Sequence, residues 1–327
     1  MMRGLVHERN QVTIKDMDEP TPASNEVVVK LKAAGLNRRD LAIPKRRGDE
    51  QEALILGSDG AGVIDSIGDE VENVQVGDEV IINPSLRWKQ NSDAPPKGFD
   101  ILGMPDHGTI AEKIVIASDQ VEPKPSYLSW EEAAVFSLAA LTGYRAIFTK
   151  GKLQPGETVF IPGAGSGVAS FLIHFAKNHG ARVITTSRSK DKQEKAKDLG
   201  ADVVLDTSDD WEAALQDETI DMVIDSVGKA TFHRSLAVLK KGGRFVTFGA
   251  TTEDVIDFDL RSFFYGQYQL IGTTMGCKEE LEAALNHYIK YETRPVVDKV
   301  FNLEESLDAL EYLKEGKQFG KVAIRIS

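Results

Sequence analysis

The sequence predicts an α/β fold in two parts, a mostly-β unit and a doubly wound parallel sheet. Short β-branched runs separated by glycine fill residues 27–116, a pattern that indicates an antiparallel sheet or barrel. Beyond Pro155, apolar strands alternate with helical stretches, which is typical of a parallel sheet covered by helices on both faces. With 327 residues, 41% of them hydrophobic, the chain is long enough for two cores.

The charge balance narrows the classes of partner. Asp and Glu number 51 against 39 Lys and Arg, and the net charge of −12 disfavours binding to a nucleic-acid backbone or an anionic membrane surface. The sequence shows no signal-peptide pattern near its start and no apolar run of bilayer length, so we expect a cytoplasmic location. Cys277 is the single cysteine, which excludes an internal disulfide and a multi-cysteine metal site.

In the first part, four segments are predicted strands: EVVVKLKAAG, GAGVIDSIG, VGDEVII and GTIAEKIVI. Several prolines and mixed polar residues between Asn83 and His107 predict a lobe with little regular structure. Ser129 followed by Glu132 forms a capping-box signature, and the apolar residues after it predict one largely buried helix that bridges the two parts.

In the second part, six segments are predicted strands: ETVFIP, ARVITT, ADVVLD, IDMVID, GRFVTFG and QLIGTT. The first helix of this part carries an apolar stripe at helical spacing, formed by Val168, Phe171, Leu172, Phe175 and Ala176. After Met275, short mixed elements return, and we expect them to rejoin the first unit. The predicted division is therefore 1–122, 123–275, and a return over 276–327.

A glycine-rich turn between the first strand and first helix of the second part predicts a dinucleotide site. Gly163, Gly165 and Gly167 let the backbone approach a pyrophosphate, and free N–H groups with the positive end of the helix dipole, at Ser166 and Val168, stabilise that anion. The alternative is a plain tight turn; the strand–turn–helix context and the small residue Ala169 favour cofactor binding.

The end of the next strand indicates which cofactor binds. A carboxylate there would accept hydrogen bonds from a ribose hydroxyl, but the place is held by Ser187 and Arg188, with Lys192 one helical turn further on. A hydroxyl and two cations suit a 2′-phosphate, so the sequence predicts NADPH. The alternative is that these cations form a solvated start to the next helix.

These motifs resemble those of the medium-chain dehydrogenase/reductase superfamily along almost the whole chain. The resemblance rests on ordered segments: AAGLNRRD, LGSDGAGVI, VGDEV, GTIAEKIVI, SWEEAAVFSLAALTGYRA, GAGSGVAS, KDLGADVVLD, VIDSVG, KKGGRFVTFG and FGKVAI. It implies a GroES-like catalytic domain, a Rossmann domain inserted into it, and an active site in the cleft between them. It also implies a homodimer formed near the last Rossmann strand, where DFDLRSFFYGQYQLIG offers apolar and aromatic residues.

The zinc-dependent branch of that superfamily needs thiolate, imidazole or carboxylate ligands at three places. By the motif alignment those places hold Asn37, Ser58 and Leu138, beside Asp59. The lobe from Asn83 also lacks the cysteines of a structural zinc site. The resemblance is therefore to the zinc-independent quinone oxidoreductase branch, and no metal is expected.

Without a Lewis acid, a simple ketone is a hard substrate, whereas a quinone or an enone delocalises the developing charge itself. The resulting hypothesis is metal-free hydride transfer from NADPH to a small-molecule quinone or α,β-unsaturated carbonyl, with the cofactor carrying most of the chemistry. Two alternatives stay open. One is a metal-free alcohol or carbonyl dehydrogenase, and the other is a non-catalytic NADPH-binding sensor.

The candidate site residues follow from the same motifs. Asn37 is expected to donate to a ribose hydroxyl or a substrate oxygen, and Asp40 either orients Asn37, passes a proton, or only anchors the loop. Thr142 matches a family position beside the nicotinamide. The amides and carbonyls around three further residues, at the ends of successive parallel strands, are expected to line the nicotinamide pocket: Val227, Gly249 and Thr273.

Overall fold

The structure is a computed structural model that describes all residues from 1 to 327. The chain divides into two compact units, Met1–Leu141 with Gly276–Ser327, and Thr142–Met275. None of its helices is both long enough and apolar enough to cross a bilayer.

The elements of the first unit before the insertion are β1 (Met2–Glu8), β2 (Gln11–Met17), β3 (Glu26–Gly35), α1 (Arg38–Arg47), β4 (Leu54–Ile55), β5 (Asp59–Ile67), β6 (Glu79–Ile82), β7 (Ser85–Leu86), β8 (Asp100–Ile101), β9 (Lys113–Ala117), β10 (Val121–Pro123) and α2 (Trp130–Ala134). Helix α3 (Ser137–Tyr144) contains the boundary between the units.

The elements of the second unit are β11 (Thr158–Ile161), α4 (Gly167–Asn178), β12 (Arg182–Ser187), α5 (Lys190–Asp198), β13 (Val203–Asp206), α6 (Trp211–Ala214), β14 (Ile220–Asp225), α7 (Lys229–Val238), β15 (Leu239–Thr247), α8 (Leu260–Gly266) and β16 (Gln269–Gly272). The chain then returns to the first unit through α9 (Lys278–Tyr291), β17 (Val297–Asn302), α10 (Ser306–Glu315) and β18 (Lys321–Arg325).

The first unit contains a seven-stranded sheet and a separate three-stranded sheet with the order β2-β1-β4. The large sheet has the order β10-β6-β5-β3-β18-β17, and β9 also pairs with β3. Its pairs are antiparallel except β17 with β18, which run parallel. The prediction of an antiparallel sheet over residues 27–116 is thus confirmed. The last segment, Gly276–Ser327, lies in the same unit, where β18 pairs with β3.

The second unit is a six-stranded, all-parallel sheet in the order β13-β12-β11-β14-β15-β16. All six predicted strands are present. Along α4, Phe171, Leu172, Phe175 and Ala176 are buried, while Val168 at the helix start is half-buried. The order reverses direction at β11, so the ends of β11 and β14 form the switch point at which such sheets bind ligands.

The bridging helix differs from the expectation of one continuous helix. The capping box at Ser129 and Glu132 is present, but α2 ends after five residues, where the Phe136 N–H bonds the Ala133 carbonyl in a tighter turn. Helix α3 follows and runs into a π-helical turn over Arg145–Lys150. Helix α2 packs on β3 and β5 of the first unit. The first unit extends to Leu141, so the boundary lies at 141/142 rather than at 122/123.

The lobe after Asn83 contains only the short antiparallel pair β7–β8. Arg39 in α1 anchors its exit, because the side chain is half-buried and Nη1 donates to the Leu102 carbonyl at 2.6 Å.

Candidate active site and cofactor site

The glycine turn of the second unit has the geometry of an anion cradle. Gly163 follows β11 with φ +85°, a conformation that favours glycine, and a Cβ at this position would contact only the Val227 side chain, at 3.6 Å. Ser166 caps α4, and its hydroxyl accepts a hydrogen bond from the Ala169 N–H at 3.0 Å. The turn therefore leaves open space above a fixed helix start.

Three backbone N–H groups at this turn have no acceptor within the chain: those of Gly165, Gly167 and Val168. They are donors at the positive end of a 12-residue helix, and such donors are satisfied by a bound phosphate. The residues present thus fit the pyrophosphate of a dinucleotide, as the sequence predicts.

The residues predicted to select the cofactor lie at the end of β12 and just after it. Ser187 is the last residue of that strand, and its hydroxyl accepts the Ser189 N–H at 3.3 Å. Arg188 is exposed and has no partner within the chain, and Lys192 lies in the first turn of α5. An unpaired guanidinium and a nearby ammonium fit a phosphate group.

A carboxylate that sequence reasoning missed lies on the neighbouring strand. Asp206 is the register partner of Ser187 in the β12–β13 pair. It is already engaged, because its carboxylate accepts from the Ser208 N–H and hydroxyl and from Gln193 Nε2. The hydrogen bonds from Ser208 lower the pKa of Asp206, whose carboxylate is thus held by its own loop and by Gln193 of α5. The aspartate that ends the segment ADVVLD is the sequence signal for it.

The residues predicted to line the nicotinamide pocket follow three adjacent parallel strands. Val227 comes after β14, Gly249 after β15 and Thr273 after β16, so all three lie at the carboxyl edge of the sheet. The Thr273 hydroxyl is buried without a partner, which leaves it available to a ligand. Thr142, in α3, is buried and donates to the sulfur of Met275 at 3.9 Å.

One expectation for this pocket needs correction. The Val227 N–H already bonds Asp225 Oδ1 at 2.7 Å, and its carbonyl accepts the N–H of Thr252 at 2.9 Å. Its backbone groups are therefore committed within the chain, and what Val227 offers at the glycine turn is its side chain.

In the first unit, Asn37 lies between two opposite charges. It precedes α1, and its side chain is buried; Nδ2 donates to Asp59 Oδ2 at 2.9 Å, and Oδ1 accepts from Lys321 Nζ at 2.6 Å. Asp59 is the first residue of β5 and Lys321 the first of β18, the two strands that flank β3. Sequence reasoning missed this use of both charged residues, although Asp59 adjoined a candidate position.

Asp40 is fully buried beneath the same loop. Oδ2 accepts the backbone N–H of Asn37 at 2.7 Å, and Oδ1 has no partner. Burial raises the pKa of Asp40 to about 6. Of the roles considered for Asp40, anchoring the loop is the one that this hydrogen bond supports, and through the Asn37 backbone it also positions that residue.

Comparison with known proteins identifies the family. Models of the "Alcohol dehydrogenase GroES-like domain" and of "Zinc-binding dehydrogenase" match residues 23–126 and 167–290. The "Zinc-type alcohol dehydrogenase-like protein YogA" of Leptosphaeria maculans is 30% identical, with 99% of this chain and 96% of that protein covered. The chain belongs to the medium-chain dehydrogenase/reductase superfamily. It is accordingly an oxidoreductase with a GroES-like domain and a Rossmann-like parallel sheet.

Two further similarities refine the comparison within the superfamily. A crystal structure of an NAD-dependent alcohol dehydrogenase has a TM-score of 0.94 at 34% identity, with all of both chains covered. The crotonyl-CoA carboxylase/reductase of Cereibacter sphaeroides is 28% identical, with 88% of this chain and 77% of that protein covered.

The zinc that the superfamily implies does not fit the donors at the three candidate ligand positions. The Asn37 amide oxygen is bonded to an ammonium, and the Ser58 hydroxyl donates to the Leu102 carbonyl at 2.7 Å and accepts from Arg39. Leu138 offers only its backbone N–H, which donates to Asp59 Oδ1 at 2.8 Å. Zinc requires thiolate, imidazole or carboxylate donors. Asp59 is the one such donor beside these positions, and its carboxylate is already paired with the Lys321 ammonium.

His107 bonds the backbone of β4 and does not contact Asn37, Asp59 or Lys321. Its Nδ1 accepts the N–H of Ile55 at 3.1 Å, and burial lowers the pKa of the imidazole. It lines an open concavity of about 1060 Å³ in the first unit, whose walls include neither Asn37 nor Lys321.

Proposed function

We propose that the chain is an NADPH-dependent reductase that transfers hydride to a quinone or an α,β-unsaturated carbonyl without a metal ion. The observation that carries the proposal is that Asn37, at a position where zinc-dependent members need a metal ligand, is paired with Lys321 and Asp59. The proposal places the chain in the quinone oxidoreductase-like branch of its superfamily.

The choice of NADPH is supported by the second unit. The three unbonded N–H groups at the start of α4 would hold the pyrophosphate, and Arg188 with Lys192 and Ser187 would hold the 2′-phosphate. Thr142, Gly249 and Thr273 would border the nicotinamide. When bound, NADPH would supply the hydride from the C4–H bond of its nicotinamide.

The chain's own part in the reaction is to bind the substrate oxygen and orient the acceptor carbon. As the hydride forms a new C–H bond, an electron pair moves onto the substrate oxygen, where Asn37 Nδ2 donates a hydrogen bond. A proton from water then completes the reduction of an enone at its α-carbon. For a quinone, water protonates the oxygen, and the product tautomerises to the hydroquinone as the ring carbon loses its second hydrogen to solvent and the other oxygen gains a proton. An amide donor is weaker than a metal ion, so a substrate that spreads its own negative charge is favoured.

The relatives support this choice of substrate class. A crotonyl thioester is an α,β-unsaturated carbonyl, and a reductase of crotonyl-CoA is among the similar proteins. Similarity to alcohol dehydrogenases favours the second candidate, a metal-free dehydrogenase of simple alcohols or ketones. A non-catalytic NADPH-binding sensor is the third candidate, and it predicts tight cofactor binding without turnover.

The test uses protein treated with EDTA and then freed of it. NADPH and NADH are mixed separately with a small quinone, an enone and a simple ketone, and loss of nicotinamide absorbance is followed. We expect turnover of quinone or enone with NADPH and none of the ketone. Preference for NADH would remove the role of Arg188, and activity that returned only with added zinc would refute the metal-free mechanism.

A further inference from the structure

Asn37 and Ser58, two of the three positions where a metal-dependent relative would bind one dication, each contact a cation of the chain in this protein. Lys321 donates to Asn37, and Arg39 donates to Ser58. Arg39 is half-buried and donates to the Ser58 hydroxyl and to two lobe carbonyls, those of Leu102 and Ile101. Lys321 is 3% exposed and lies 3.2 Å from Asp59 Oδ2. The positive charge at this position is therefore supplied by the chain itself.

Lys321 is held in place by its backbone. Gly320 has φ +91°, and a Cβ there would lie 2.6 Å from the Val296 carbonyl oxygen, so glycine is required before Lys321. The Lys321 N–H donates to the same carbonyl at 2.9 Å, and the Leu36 N–H donates to the Val322 carbonyl at 3.0 Å. These bonds fix the start of β18 beside the loop that carries Asn37.

The ion pair decides which way the Asn37 amide faces. Oδ1 lies against the ammonium at 2.6 Å, and Nδ2 lies against the carboxylate at 2.9 Å. A flipped amide would place oxygen against carboxylate and NH₂ against ammonium, so both contacts would become repulsive. One Nδ2 hydrogen is used by Asp59, and no acceptor in the chain takes the other.

We propose that Lys321 is a positioning residue that locks the Asn37 amide so that its second Nδ2 hydrogen donates to the reducible carbonyl oxygen of the substrate. The ammonium also polarises the amide, which strengthens donation from the opposite end of the same group. This inference rests on the proposed function in that Asn37 contacts the substrate. It assigns a role to the segment FGKVAI beyond its place in the sheet.

The kinetic test uses steady-state reduction of an enone by NADPH. K321M leaves Asp59 unpaired and risks misfolding, so K321M/D59N, which removes both charges, is measured as well. We expect kcat to fall about 100-fold in both variants while the KM for NADPH changes less than about threefold, and K321R to recover most of kcat. K278M/E122Q removes another poorly exposed ion pair of the same unit and should keep wild-type kinetics.

A double-mutant cycle separates positioning from general structure. If Lys321 acts through Asn37, adding K321M/D59N to N37A costs less than about threefold beyond N37A alone. An equal loss in both backgrounds, or unchanged kcat in K321M/D59N, would overturn the proposal.

A spectroscopic readout works without any substrate. With ¹⁵N-asparagine labelling, the side-chain signals that N37A removes belong to Asn37. In the wild type we expect two well-separated, slowly exchanging hydrogens, which move together and exchange faster in K321M/D59N. If the wild type shows these slowly exchanging signals but turns over no enone or quinone, the proposed function is refuted while the positioning by Lys321 stands. If the Asn37 signals are identical in the wild type and in K321M/D59N, the positioning is refuted.

Discussion

Asp59 and Lys321 form an ion pair closed off from solvent, with Oδ2 and Nζ 3.2 Å apart and the two side chains 0% and 3% exposed. Removal of one partner leaves an unpaired charge in the core, so K321M should lower the free energy of unfolding by about 3–5 kcal/mol. Urea unfolding measures this. K321M/D59N should recover most of the loss, and K314M, at the exposed pair with Glu311, should stay within about 0.5 kcal/mol of wild type.

Asp40 predicts a pH dependence of stability. Its pKa is about 6 in the folded protein against an ordinary 3.8, so the folded state binds this proton more tightly than the unfolded state. The contribution of Asp40 to stability is therefore full below about pH 4 and is lost as pH rises through 6, by up to about 3 kcal/mol.

D40N removes this titration while keeping an oxygen that can accept the Asn37 N–H. Urea unfolding at pH 4.5 and pH 7 should show that D40N gains stability relative to wild type on going to pH 7. The exposed D16N is the control and should leave the difference between the two pH values as in wild type. A wild type whose pH dependence equals that of D40N would contradict the prediction.

Arg188 predicts selectivity between the two nicotinamide cofactors. R188A removes an exposed guanidinium that has no partner within the chain, so it should cost nothing in stability. A lost charge-assisted bond to phosphate should weaken NADPH binding about 10- to 100-fold and leave NADH binding unchanged. Fluorescence titration measures both, with K241A, another exposed cation of the second unit, as the control. Equal weakening of both cofactors would argue against a 2′-phosphate contact.

The edge strand β16 predicts a homodimer. It is the last strand of the parallel sheet, and apolar side chains on it and on α8 are exposed: Leu260, Phe264, Tyr265 and Leu270. An open edge beside apolar side chains is suited to a second copy of the chain. L270K should therefore shift the mass measured by light scattering from dimer to monomer. L307K changes an equally exposed leucine on α10 and should leave the mass unchanged.

Local patterns in the sequence predicted much of this structure. The glycine turn, the capping box at Ser129 and all six strands of the parallel sheet are set by residues close in sequence, and each was predicted from its own segment. The candidate cofactor residues were predicted in the same way, because they stand at or just after the ends of those strands. The break between α2 and α3 was missed, since an apolar run does not indicate where the hydrogen bonds change from α-helical to the tighter turn at Phe136.

The partners of Asn37 could not be predicted from local patterns. Lys321 lies 284 positions further along the chain, and its contact depends on β18 pairing with β3. The same holds for Arg39, whose guanidinium donates to Ser58 and to the Leu102 carbonyl, 19 and 63 positions further along the chain. A pattern of residue types shows that a metal ligand is missing; only tertiary structure shows what replaces it.

The placement of Lys321 on the last strand also sets an order of assembly during synthesis. Asn37 and Asp59 leave the ribosome early, but the carboxylate of Asp59 cannot be buried as an ion until β18 supplies the ammonium. The whole second unit is made in between. The Asn37 amide therefore takes its final orientation only after β18 has been synthesised, so a nascent chain whose second unit has already folded would still lack the hydrogen bond between Lys321 and Asn37.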